Sequence, residues 1–236
     1  MRMPEGRDMK VNVVSLWAQV AGMFVVFALG LFLPAGTLDW WPGWVFLGMF
    51  SAFTVSISIW LLKHDPGLMQ ERLNGFKQER RASWDNLILI LAAVLWFTWL
   101  IVMPIDAVRF HWSHIPLWLQ VVGAALLLCS FYIFFLTYRE NPYLSGAVRI
   151  QEDRGQKVIS TGAYAIVRHP MYAGVLILVV GTDLLLGSWY GLIPGLTLVM
   201  VVAWRAVLEE NLLRQELSGY TGYMARVKYR MIPHVW

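Results

Sequence analysis

Cysteine is nearly absent: Cys129 is the one thiol in 236 residues. An intrachain disulfide and a thiolate metal cluster are thereby excluded, and Cys129, set in an apolar run, reads as buried packing. Charge is scarce as well. Charged residues make up 14% of the chain against 58% hydrophobic ones, whereas a soluble domain carries about a quarter charged. The five histidines (His64, His111, His114, His169 and His234) show no zinc spacing. His111 and His114 stand three apart without a third ligand nearby, so no metal site is expected. A P-loop, a G-x-G-x-x-G turn, an internal repeat and a low-complexity tract are all missing. Nucleotide binding on a Rossmann or P-loop scaffold is therefore not on offer.

Long apolar runs take the place of what is missing. Spanning a bilayer needs about 20 apolar residues. Val13–Leu33, Trp44–Leu62, Leu87–Ile105 and Pro116–Tyr138 meet that need, and two shorter runs, Met171–Leu186 and Trp189–Val207, flank a Gly187-Ser188 break. The first run is too long for a signal-peptide core and no trusted cleavage pattern follows it. The expected fold is all-α: a polytopic integral membrane bundle of about six transmembrane helices. Its last two form a helical hairpin over 170–207, held antiparallel by a two-residue turn. Thirteen tryptophans include Trp40, Trp41, Trp44, Trp112, Trp118 and Trp189 at run ends, the pattern of an interfacial belt.

Charge placement orients the bundle. Of the 19 lysines and arginines, only Arg109 falls in a loop on one side. The rest sit in the N-terminal segment, the 63–86 loop, the 139–170 loop and the C-terminal segment. The positive-inside rule puts both termini in the cytoplasm. Because the net charge of +4 is dispersed over alternate loops, nucleic acid is not an expected partner. Opposite loops are short and poorly charged, so function belongs in the bundle or on the cytoplasmic face. The 63–86 loop carries Leu68, Met69, Leu73 and Phe76 at near-helical spacing. It reads either as an interfacial amphipathic helix begun by Asp65-Pro66 or as a solvated connector. Val148-Arg149-Ile150 reads as a strand or extended segment, followed by a turn at Glu152–Gly155.

Two polar clusters interrupt this scaffold. Thr161–Gly174 reads TGAYAIVRHPMYAG, where Pro170 opens a helix with His169 near its cap. Free N–H groups at such a start suit a carboxylate or phosphate, and Arg168 adds a charged fork. The same residues also read as an ordinary cap with a snorkelling arginine. In the second cluster, Arg205 and Glu209, like Glu210 and Arg214, stand four apart, the spacing of helix ion pairs. Adjacent carboxylates at the end of a span are costly unless solvated or paired. The hairpin brings this cluster beside the first. Downstream, Tyr220, Tyr223 and Arg226 share a helix face, fit either to cover a ligand or to sit in the interface.

Together, TGAYAIVRHPMYAG, the Arg-x-x-x-Glu-Glu helix end and the Tyr-x-x-Tyr-x-x-Arg-Val tail resemble the isoprenylcysteine carboxyl methyltransferase family. The likeness covers Asn141–Trp236, looks closest to bacterial members of unassigned substrate, and is similar at its core to phosphatidylethanolamine N-methyltransferases. Ala163 departs from a common proline of the family. The resemblance implies an inner-membrane enzyme that binds S-adenosylmethionine at the cytoplasmic face and methylates a lipophilic or amphiphilic acceptor at a carboxylate, thiol or amine. It implies that Gly162, Tyr164, Arg168, His169, Pro170, Tyr172, Gly174, Glu209, Glu210, Tyr220 and Tyr223 hold the cofactor. Glu210, Arg226, Arg139 and Glu140 are the candidates for catalysis. Residues 139–236 would form the methyltransferase core and 1–138 a scaffold for substrate access. Two rivals remain: an NADPH-dependent membrane reductase of the sterol-reductase type, and a non-catalytic lipid-binding membrane protein.

Overall fold

The computed structural model describes residues 11–74 and 82–236, so Phe76 lies outside the described residues. Eight α-helices are present among the described residues: α1 Val13–Ala35, α2 Trp41–His64, α3 Pro66–Asn74, α4 Ser83–Pro104, α5 Leu117–Glu140, α6 Pro170–Leu186, α7 Leu192–Glu216 and α8 Tyr220–Arg226. The protein is a polytopic, all-helical membrane bundle. Five helical stretches are long and apolar enough to cross a membrane, and the sixth apolar helix, α6, has only 17 residues. Exposed side chains such as Val14, Leu29, Ile90, Val94, Val121 and Ile193 cover the flanks with apolar surface that lipid would meet.

Helix ends follow local chemistry. Asn12 caps α1 by accepting from the Ser15 N–H at 2.9 Å. Asp65 closes α2 and accepts from the Leu68 N–H at 2.8 Å, so the Asp65-Pro66 start expected for α3 is present. Leu68 and Met69 are buried and pack with Leu16, Leu61 and Tyr138, which makes α3 a docked helix.

The α6–α7 connection differs from the expected two-residue turn. Gly187 ends α6 at φ 88°, yet α7 begins only at Leu192. Buried Asp106, in a π-helical turn after α4, accepts from the Ser188 hydroxyl at 2.6 Å and the Tyr190 N–H at 3.2 Å. That polar anchor holds the extra residues. Helix α7 also runs past Val207, so Glu209 and Glu210 lie inside it. Helix α6 packs chiefly on α5, and α7 on α4. Gly123 and Gly181 make the α5–α6 crossing possible: a Cβ at Gly181 would sit 2.9 Å from the Gly123 carbonyl oxygen, the close backbone approach small residues permit in membranes.

Cys129 is exposed, against the expected burial. The buried stripe of α5 runs through Gly123, Leu127, Ser130 and Phe131, and Cys129 falls off it. Trp41, Trp44, Trp112, Trp118 and Trp189 are exposed as a belt requires, but Trp40 is buried and stands edge-on to Phe32. Residues 148–150 form no strand, and Glu152–Arg154 forms a 3-10 turn closed by Gly155 at φ 60°.

Candidate functional site

Where α6 begins, the C-terminal tail runs alongside. The N–H groups of Arg168 and His169 donate to the carbonyls of Tyr229 (2.9 Å) and Arg230 (2.8 Å). The Arg168 side chain donates through Nη1 to Val227 O and Lys228 O, and through Nε to Glu210 Oε1 at 2.6 Å. His169 Nε2 lies 3.2 Å from the same carboxylate, and Arg230 Nε donates to its other oxygen at 2.8 Å. Glu210 is 1% exposed. Surrounded by two guanidiniums and an imidazole, it is a buried anion with its partners in place, the condition under which such a charge is tolerated. The donors expected to seat an anion at the α6 start are instead engaged, the Arg168 fork with Glu210 and the tail and the Tyr172 and Ala173 N–H groups with the His169 carbonyl.

The second carboxylate behaves differently. Glu209 accepts from the Tyr172 hydroxyl at 2.8 Å, and Tyr172 in turn accepts from Arg205 Nη1 at 2.9 Å. Arg205 does not turn to Glu209 and Glu210 does not turn to Arg214. Arg205 forms a two-pronged pair with Asp85 at 2.7 and 3.1 Å. The His169 ring stacks on Tyr172 with centroids 5.3 Å apart and planes 3° from parallel. The stack fixes the direction of the Tyr172 hydroxyl.

These groups wall a cavity of about 230 Å³. Of the residues marked in the sequence, Tyr164, Arg168, His169, Pro170, Tyr172, Glu209, Tyr220 and Tyr223 line it. Glu209 is the acidic side chain among the described lining residues. Tyr223 donates to Tyr164 O at 2.7 Å, and Asn141 Nδ2 donates to the Tyr164 hydroxyl at 2.9 Å. Burial pushes the Tyr164 and Tyr223 phenols far above their ordinary range, so both stay protonated as walls and donors.

The other marked residues lie off the cavity. Glu210 is sealed behind it. Gly174 faces α5, where a Cβ would stand 2.6 Å from the Phe134 ring. Gly162, at φ 57°, abuts the Glu140 side chain, and Glu140 accepts from the Thr161 hydroxyl at 2.9 Å. Arg139 points outward, 51% exposed and 3.5 Å from Glu140. Arg226 is exposed, and the tail arginine that reaches the cluster is Arg230. Sequence reading missed Arg230, Asp85 and the 143–158 segment, whose Tyr143, Arg149, Gln151 and Lys157 line the cavity. The basic spacing of the tail contained a signal for Arg230. Asp85, 120 residues from its arginine, had none.

Comparison with known proteins adds two findings. Residues 118–218 match the model of the phospholipid methyltransferase family. The chain is also 23% identical over 224 residues to the Delta(14)-sterol reductase of Mus musculus, across 82% of this chain and 52% of the reductase. The chain thus spans about half the length of that relative.

Proposed function

We propose that this protein is a membrane-embedded methyltransferase that uses S-adenosylmethionine at its basic, cytoplasmic end and methylates a lipophilic or amphiphilic acceptor. The observation that carries this reading is the coincidence of the 118–218 match with the stretch that supplies most of the cavity and its Glu209 carboxylate. The residues suit the cofactor. Glu209 would face its positive charge, and Tyr164, Tyr220, Tyr223, Leu213 and Leu217 offer the flat apolar surface an adenine ring requires. Arg168 is engaged with the tail and Arg149 is paired through its Nη atoms with Asp153 and Glu71, so the cofactor carboxylate falls to Lys157 and to the Arg149 Nε, which is buried without a hydrogen-bond partner.

Bound there, S-adenosylmethionine supplies an electrophilic methyl. The acceptor's lone pair would take that methyl, with the S–C bonding pair left on sulfur. The protein's task is to align donor and acceptor and keep water away, which contributes through proximity. Glu209 attracts the cation, Tyr172 and Arg205 hold Glu209 in place, and the 143–158 segment covers the cavity. Residues 139–236 form the core of this machine, while 1–138 supplies scaffold together with Arg72 and Asp85.

The likeness to a sterol reductase supports a second reading, an NADPH-dependent reductase, with Arg72, Arg149 and Lys157 as phosphate partners. Titration calorimetry of the detergent-purified protein with S-adenosylmethionine, S-adenosylhomocysteine and NADPH separates the two. Heat from the first two and none from NADPH is expected, and the reverse result reassigns the protein.

A further inference from the structure

Arg205 and Glu209 stand one turn apart on α7, where opposite charges ordinarily pair. Among the described residues no ion pair joins them. Asp85, from the first turn of α4 and fully buried, takes the Arg205 guanidinium instead, through Nε at 2.7 Å and Nη2 at 3.1 Å. Arg205 Nη1 reaches the Tyr172 hydroxyl, which donates to Glu209, while the His169 ring stands beside the same carboxylate with Nδ1 4.0 Å from Oε2. Asp85 lies outside the 118–218 stretch that matches the methyltransferase family. It also accepts from the Val148 N–H at 2.9 Å while Arg205 Nη2 donates to Gly146 O at 2.9 Å, so the same pair fastens one cavity wall.

We propose that Asp85 is a positioning residue that withholds Arg205 from Glu209 and thereby keeps a carboxylate free of any guanidinium partner in the cavity for a cationic ligand group. On the reading above, which supplies the identity of the ligand, that group is the sulfonium of S-adenosylmethionine. The argument is one of charge. A buried guanidinium needs an anion, and Asp85 and Glu209 are the two carboxylates within its reach through the Tyr172 contact and the helix turn. Without Asp85, Arg205 swings one turn along α7 and neutralises Glu209.

The two forms of the cofactor provide the test, because S-adenosylhomocysteine lacks the methyl and its sulfonium charge. Dissociation constants for both are measured by calorimetry on the purified full-length chain in detergent. In Asp85→Asn, S-adenosylmethionine is expected to weaken about tenfold more than S-adenosylhomocysteine, roughly the effect of one lost charge contact. The double variant Asp85→Asn with Arg205→Gln, an uncharged pair less prone to misfold, restores the wild-type ratio because no guanidinium remains to turn to Glu209. Equal weakening of both ligands, or a double variant whose ratio falls with the single one, overturns the inference alone and leaves Asp85 a structural anchor. A wild-type protein that binds neither ligand overturns the methyltransferase reading and the inference with it.

Discussion

Arg168 on the approach to α6 and Glu210 on α7 meet at 2.6 Å, with side chains only 6% and 2% exposed. Their contact joins the helix start, the long seventh helix and the tail in one buried knot. Arg168 and Arg230 both donate to this one carboxylate, and Arg168 also binds two tail carbonyls.

Removing the carboxylate charge should therefore unfasten all three. Glu210→Gln strands the buried Arg168 guanidinium and the partly exposed one of Arg230, a change of the kind that costs about 3–5 kcal/mol where the charge is buried. The expected outcome is a large drop in melting temperature in detergent and early proteolysis within 227–236. Glu209→Gln, whose carboxylate is 26% exposed, should leave both measures far less affected.

Gly174 makes a steric prediction. Its added methyl in Gly174→Ala runs into Phe134 while Ser130 still donates to the Gly174 carbonyl at 2.9 Å. Overpacking of this kind costs about 1–3 kcal/mol. Pairing the change with Phe134→Leu should recover much of the lost thermal stability.

Arg139 and Arg226 test the catalytic assignments. Arg139 is largely exposed, and pairs of that sort contribute about 0–1 kcal/mol. Arg139→Ala and Arg226→Ala should leave stability and cofactor affinity unchanged. A fall in kcat with unchanged cofactor affinity would tie either residue to the acceptor, and no change at all would remove it from the mechanism.

Cys129 offers a probe of the membrane-facing flank because it is the sole thiol and is exposed in mid-α5. In lipid nanodiscs an uncharged maleimide should label it and a charged, membrane-impermeant thiosulfonate should not. Ready labelling by the charged reagent would place this part of α5 in water.

The bundle itself was legible because apolar length and charge placement act locally: Val13–Leu33 and Pro116–Tyr138 correspond closely to α1 and α5. Helix starts were legible for the same reason, as Asp65-Pro66 and His169-Pro170 show. What stayed hidden depends on partners distant along the chain. The four-residue spacing of Arg205 and Glu209 suggested an ion pair, yet Asp85 outcompetes Glu209 from another helix. Arg168 looked like a free anion donor because two of its partners, the Val227 and Lys228 carbonyls, carry no side-chain signature and the third, Glu210, lies 42 residues away. The turn after Gly187 looked tight because the hold of Asp106 on Ser188 and Tyr190 crosses 82 residues or more.

The Gly123–Gly181 crossing carries a mechanical consequence. With backbones this close, α5 and α6 can neither slide nor part without losing contact along much of their length, so the Pro170–Tyr172 end of α6 that lines the cavity rests on a fixed support. The 143–158 segment supplies a further wall. Side chains reaching across hold that segment: Arg72 to Leu144, Asp85 to Val148 and Arg205 to Gly146. Asp85 and Arg205 thus serve two ends at once, setting the charge around Glu209 and fastening one wall of the cavity that holds it.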